Sequence, residues 1–152
     1  MGMPGCIISL EDASCPEDVA TVIKGLEAYN LLFAPPDGYR PLNVLARTSE
    51  QQVVGGLLGV TYWGWLYVDR LWLKEDQRGH GYGKQILAAA ETEALRRSCR
   101  HVHLDTLSFQ ALDFYERRGY AVWGVLDDLP PGHRRYFLKK DLAWSVSGSL
   151  KS

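Results

Sequence analysis

The sequence predicts an α/β (α+β) domain with a mixed central sheet flanked by helices. Three observations carry that prediction. Residues 42–75 hold three apolar runs in quick succession, "LNVLART", "VVGGLLGVTYWG" and "WLYVDRLWLKE", separated only by short turns, as antiparallel hairpins require. A strand–helix–strand unit then follows, ending in "HVHLDTL". The chain also shows no internal repeat and no linker composition, so 1–143 is expected to form one domain, with "SVSGSLKS" inside a loose tail at 144–152.

The elements follow in order. "CIISLE" is a short apolar run, read as a first strand. Ser14 and Glu17 stand at capping-box spacing with Pro16 in the first turn. Val19, Val22, Ile23, Leu26, Tyr29 and Phe33 then repeat at helical spacing. "APPDGYRP" breaks that helix, and the polar turn "SEQQ" joins the first two strands of the hairpin region. Strict alternation along the third strand puts Trp65, Tyr67, Asp69, Leu71 and Leu73 on one face. The helix after it buries Ile86, Leu87, Ala90 and Ala94. Ser108 is placed to cap a short helix, "FQALDFYERR", which Gly119 ends. "YAVWGVL" and "RRYFLKKDL" close the sheet around the loop "DDLPPGH".

Composition narrows the function classes. Seventeen basic residues balance eighteen acidic ones, a net charge of -1, so no bulk attraction to nucleic acid or to a membrane surface is expected. The apolar runs are too short to span a bilayer, and the N-terminus has neither a charged n-region nor a long apolar core, so no signal peptide is expected. The start approaches a myristoylation pattern, but Cys6 stands where Ser or Thr is needed. Cys6, Cys15 and Cys99 lack paired spacing, which suits reduced thiols and a cytoplasmic location. No cysteine–histidine spacing suggests a metal.

The stretch "QRGHGYGKQ" raises the chemical question. Gly79, Gly81 and Gly83 alternate between Arg78 and Lys84, directly before a good helix. A helix start carries unpaired N–H groups and the positive end of the dipole. Glycines before it permit unusual backbone angles and close approach. Strand, glycine turn and helix together form an anion cradle suited to a phosphate or pyrophosphate. The dinucleotide fingerprint fails because its third glycine comes one residue early. The P-loop fails because Arg78 stands at its first glycine and Gln85 follows the lysine.

The motif Arg78-Gly79-His80-Gly81-Tyr82-Gly83 resembles the signature of the Gcn5-related N-acetyltransferases (GNAT), Arg/Gln-x-x-Gly-x-Gly/Ala. "SFQALDFYERRGY" resembles the family's later helix, with Ser108 in place of the usual Asn. The likeness spans roughly residues 53–140. It implies a splayed sheet with acetyl-CoA in the opening. Backbone groups from Arg78 through Gly79, His80, Gly81, Tyr82, Gly83 and Lys84 would hold the pyrophosphate. Leu71, Trp72 and Leu73 would line the pantetheine arm, with Ser108 and Tyr115 as further cofactor contacts. The amine would enter from the other side, over the first helix and "APPDGYRP".

Acetyl transfer to an amine needs two proton movements, one off the amine and one onto the leaving thiolate. By resemblance, Tyr115 occupies the place of the acid; its bland alternative is a core aromatic. Asp69 is the candidate base, because a carboxylate inside an apolar strand is costly unless partnered or working. Its alternative is an ion pair with Arg70 or Arg40. Tyr67 and His133 are further substrate-side candidates, His133 as a second base. His103 and Asp105 share a strand face; the two readings are that either lines the site or that they form a partnered core pair, and the core pair is preferred. Trp63, Trp65 and Trp72 are expected mostly in the core, with one free to wall the amine pocket. The expected activity is acetyl-CoA-dependent acetylation of a primary amine on a small molecule, such as an aminoglycoside-type antibiotic or a polyamine. The alternatives are acetylation of a protein lysine or N-terminus, and a non-catalytic acyl-CoA-binding module. The resemblance also makes a homodimer an expectation.

Overall fold

A computed structural model describes residues 1–2 and 5–143. The predicted tail at 144–152 lies outside the described residues. The chain consists of two compact units, Met1–Pro36 and Asp37–Ser152.

In the first unit, α1 spans Pro16–Asn30. Its N-cap is Cys15, not Ser14, so the Ser14–Glu17 capping box does not form. The Cys15 thiol donates to Glu17 Oε2 at 2.6 Å. Pro16, Glu17 and Asp18 in the first turn suit both the missing donor and the positive end of the dipole. Residues 6–10 are exposed and form no strand, against the sequence expectation. Four of these five residues are apolar, but a strand exists only where a neighbour completes its ladder.

In the second unit the strands are β1 (Arg40–Arg47), β2 (Val53–Tyr62), β3 (Trp65–Leu73), β4 (His101–Leu107), β5 (Ala121–Asp127) and β6 (Arg134–Asp141). The helices are α2 (Tyr82–Arg96) and the short α3 (Leu112–Glu116). The sheet order is β1-β2-β3-β4-β6-β5. Every neighbouring pair is antiparallel except β3–β4, which is parallel and joined through α2.

The core lies on the α2 face of the sheet. Leu57, Leu66, Val68, Val102, Leu104 and Leu138 meet Ile86, Leu87, Ala90 and Ala94, the four helix positions that the 3.6-residue period predicts. Ala90 and Ala94 are fully buried, and their small side chains let the helix lie close to the strands. Two polar braces fix α2. Arg97 donates from Nε to Glu93 and from Nη1 to Pro41 O and Thr61 Oγ1, which ties the C-terminal end of the helix to β1 and β2. Glu91 accepts from Tyr120 Oη at 2.7 Å and from Lys140 Nζ at 3.0 Å, which ties its middle to β6.

The tryptophans depart from expectation. Trp72 and Trp63 are exposed and Trp65 is only half-buried. Trp72 sits between Leu71 and Leu73, whose side chains take the core face, so strand alternation turns it away. On the sheet face opposite α2, Trp65 stacks on His101 at 4.6 Å and Tyr67 on His103 at 4.8 Å.

Candidate active site

Two local departures from regular structure create the site, a parting of strands and a bulge. β3 and β4 pair only from Trp65–His101 to Val68–Leu104. Both strands continue, β3 to Leu73 and β4 to Leu107, so they diverge beyond Val68 and Leu104. Asp69 and Asp105 are the first residues past the last pair and stand at the fork. From there to Leu73 the β4-facing edge of β3 has no ladder partner among the described residues, which leaves backbone N–H and C=O groups presented to the gap.

The bulge lies on the other edge of β3. Leu58 faces Arg70 while the next residue, Gly59, faces Val68, so Asp69 is the extra residue. Gly59 permits the distortion, since a Cβ there would meet Tyr67 O at 2.6 Å. The bulge resets the alternation. Leu71 and Leu73 pack against the core, whereas Asp69 Oδ1 accepts from Tyr67 Oη at 3.4 Å on the opposite side. The single face expected for Asp69, Leu71 and Leu73 is therefore split at Asp69.

A cleft of about 830 Å³ fills the fork. Its walls bring together Tyr67, Asp69, Leu71, Trp72, Leu73, Arg78 and Tyr115 from the sequence-predicted set. Tyr115, on α3, is 6% exposed, and burial pushes its phenol up to about 12, with the Asp105 charge adding to the effect. The hydroxyl is thus protonated throughout the neutral range and available as a donor. Burial, then Asp105 and Asp69, also raise Tyr67. Asp69 is half exposed and stands 3.6 Å from Arg70, so the ion pair weighed as its alternative exists at the rim, where such pairs contribute little.

The glycine turn has the expected form. A 3₁₀ turn at Glu75–Gln77 leads from β3 into it. Gly79 and Gly81 adopt φ of +79° and +80°, and Gly81 is the N-cap of α2 with no side-chain cap. No acidic residue stands in the first turn of α2. Gly83 differs from Gly79 and Gly81: a Cβ there would lie 3.4 Å from the Phe114 ring, an ordinary van der Waals contact. Arg78 turns back, and its Nε donates to Leu73 O at 3.0 Å, holding the turn against the end of β3. His80 and Tyr82 place their rings 6.0 Å apart, and Lys84 lies within the first turn of α2.

Ser108 and His133 are placed elsewhere. Ser108 Oγ lies 3.2 Å from His133 Nδ1 and accepts from Arg134 N, and His133 meets the Phe109 ring edge-on at 4.7 Å. The cleft wall passes through Leu107 and Phe109 on either side of Ser108. Ser108 does not cap α3, whose N-cap is Ala111. The turn after β4 is shaped instead by Gln110, whose Oε1 accepts from Leu107 N at 2.8 Å.

Sequence reasoning preferred a core pair for His103 and Asp105 over a place in the site, and it missed Arg135. His103 and Asp105 do not form the expected pair. His103 Nε2 lies 2.8 Å from Tyr62 Oη, and burial lowers its pKa. Asp105 lines the cleft and pairs with Arg135 of β6 at 3.1 Å. The parallel register of the structure accounts for its place: Asp105 is to β4 what Asp69 is to β3.

The residues fit acetyl-CoA. Two left-handed glycines before an uncapped helix offer the pyrophosphate seat, and the unpartnered edge of β3 offers backbone groups to an amide-bearing arm.

Comparison with known proteins agrees. The model of the acetyltransferase (GNAT) family matches residues 10–120. An acetyltransferase of Agrobacterium fabrum is 38% identical over 131 residues, which cover 86% of this chain and 96% of the relative. The blasticidin-S acetyltransferase of Streptomyces morookaense is 38% identical over 107 residues, 68% of this chain and 79% of that one. The crystal structure of an acetyltransferase from Bacillus cereus superposes with a TM-score of 0.81 at 30% identity, covering 88% of this chain and 98% of the other. Fold, cleft, glycine turn and comparisons converge: the chain belongs to the GNAT family and is an acyltransferase that takes acetyl-CoA as its donor.

Proposed function

We propose that the protein acetylates a primary amine on a small molecule, and that Asp69 and Tyr115 carry its two proton movements. The observation that supports this most is the meeting of a bulged carboxylate and a buried phenol in one cleft at the fork. Acetyl-CoA, when bound, supplies the activated thioester. Leu71, Trp72 and Leu73 would line its arm, and the turn from Gly79 to Lys84 would hold its pyrophosphate. Asp69 orients the acceptor amine and takes its proton, because only the neutral amine is nucleophilic. Tyr67 Oη, donating to Asp69, fixes the direction of that carboxylate. The Tyr115 hydroxyl holds a proton for the departing sulfur, since a phenol is protonated at neutral pH.

The small-molecule reading draws on the relative that acts on blasticidin-S, a small-molecule antibiotic, and on the balanced charge of the chain. The test is release of free CoA from acetyl-CoA across a panel of aminoglycosides, polyamines, amino acids and peptides. Turnover is expected on small amines. Turnover confined to peptides would replace this reading with protein or N-terminal acetylation. CoA binding with no turnover on any amine would leave an acyl-CoA-binding module.

A further inference from the structure

The cleft contains an ion pair that the two proton movements do not use. Asp105 Oδ1 and Arg135 Nε are 3.1 Å apart, with side chains 24% and 37% exposed. The contact is ionic but lies outside hydrogen-bond geometry, and Arg135 Nε is buried without a hydrogen-bond partner. A buried N–H left unsatisfied is costly, and an ion pair drawn partly out of water is a poor source of stability. Both residues line the cleft at the fork, beside Tyr67, Asp69 and Tyr115.

The sign of the lining matters. Its acids are Asp69 and Asp105, and its bases are Arg70, Arg78 and Arg135. A seat for a polyamine needs an excess of carboxylate, which this wall lacks. The arginines also differ in place. Arg78 is committed to Leu73 O beside the glycine turn, and Arg70 sits on the exposed rim of β3. Arg135 comes from β6, with β4 between it and β3, so it stands on the wall away from the phosphate cradle.

We infer that Asp105 and Arg135 form a specificity seat for an acceptor that carries a carboxylate near its amine: Arg135 takes the carboxylate, Asp105 holds the guanidinium in place, and the amine is left to Asp69 across the fork. This rests on the amine-acetylating reading above and narrows its substrate to zwitterionic amines. The guanidinium suits the task because it pairs with a carboxylate through directed, charge-assisted hydrogen bonds. Asp105 keeps that cation partnered while the cleft waits for substrate.

The experiment uses acceptor pairs that share a skeleton and differ in carboxylate against carboxamide: arginine against argininamide, and β-alanine against β-alaninamide. The wild-type protein is expected to favour the carboxylate member by about tenfold or more in kcat/KM, mainly through KM, the scale of a hydrogen bond to a charged group. The amide's amine is the less basic of each pair, so its larger neutral fraction works against this order. Arg135→Gln should erase the preference and Arg135→Lys should restore part of it. Retained acetyl-CoA thermal shifts would show that both variants are folded. Equal rates for the two members in the wild type, or a preference that survives Arg135→Gln, would overturn the seat. Calorimetric titration of the same pairs into the CoA-bound protein reads binding without turnover. Arg135-dependent binding of the carboxylate member without acetylation would support the seat and sink the enzymatic reading instead.

Discussion

The two ends of the cleft are built by different means. At the glycine turn the working groups are backbone: two left-handed glycines and the uncapped start of α2. At the fork they are side chains from four elements, Tyr67 and Asp69 on β3, Asp105 on β4, Tyr115 on α3 and Arg135 on β6. On the proposed reading the turn receives a constant group, so it needs only a fixed backbone path. On the same reading the fork receives a particular amine, and its side chains differ in charge and burial. Disruption of the turn should therefore abolish cofactor binding, whereas changes at the fork should alter rate, pH dependence and choice of acceptor while cofactor binding persists.

The largest expected effect is at the turn. Gly81→Glu places a carboxylate at the positive end of α2, in the proposed pyrophosphate seat. A Cβ at this position meets nothing within 4 Å, so the fold bears only the cost of a side chain at positive φ, about 1–2 kcal/mol. Acetyl-CoA should raise the melting temperature of the wild type in a concentration-dependent way and leave that of Gly81→Glu unmoved, with far-UV circular dichroism showing the variant folded. A full shift in the variant would remove the turn from the cofactor site.

Next comes Tyr115→Phe. It keeps the ring and removes the proton, so the rate should fall about 10²-fold with acetyl-CoA binding intact. The same variant has a consequence for alkaline stability. The unfolded phenol ionises near pH 10, whereas the folded one holds its proton to about 12. Its contribution to stability, about 2–3 kcal/mol, is therefore complete below pH 10 and lost as pH rises to 12. Denaturant titrations at pH 9 and pH 11.5 should show a smaller loss for Tyr115→Phe than for the wild type. Identical losses would mean that the phenol ionises equally easily in both states.

Smaller still is Asp69→Asn, expected to lower kcat/KM by about tenfold near neutral pH, because solution pH can also supply neutral amine. The smallest effect is expected for Ser108→Ala. Its hydroxyl is engaged by His133 and Arg134 N, so acetyl-CoA affinity should change by less than about twofold. A tenfold loss by calorimetry would return Ser108 to the cofactor contacts that the family resemblance implies.

The contrast between the two ends also explains what the sequence discloses. The turn is legible because glycines at positive φ, followed by a helix-forming run, are a local requirement written in consecutive residues. The α2 stripe is legible for the same reason, its burial following a fixed period. The fork is not local. The bulge at Asp69 leaves no mark in "LYVDRLW", so strict alternation carried Leu71 and Leu73 onto the wrong face. Asp105 looked like half of a core pair because its partner, Arg135, lies thirty residues later in the chain and meets it only through the β4–β6 register. "CIISLE" failed in the opposite sense, since propensity was present and a pairing neighbour was not.

The most direct test of the fork as a pair of proton sites is kcat/KM against pH for Asp69→Asn and Tyr115→Phe, measured on one good amine acceptor. Raising the pH supplies neutral amine from solution, so it should partly restore Asp69→Asn toward the wild-type rate. It should leave Tyr115→Phe depressed by the same factor throughout, because the missing proton belongs to the departing sulfur. Parallel profiles for the two variants, or a near-wild-type rate for Tyr115→Phe, would contradict this division of labour.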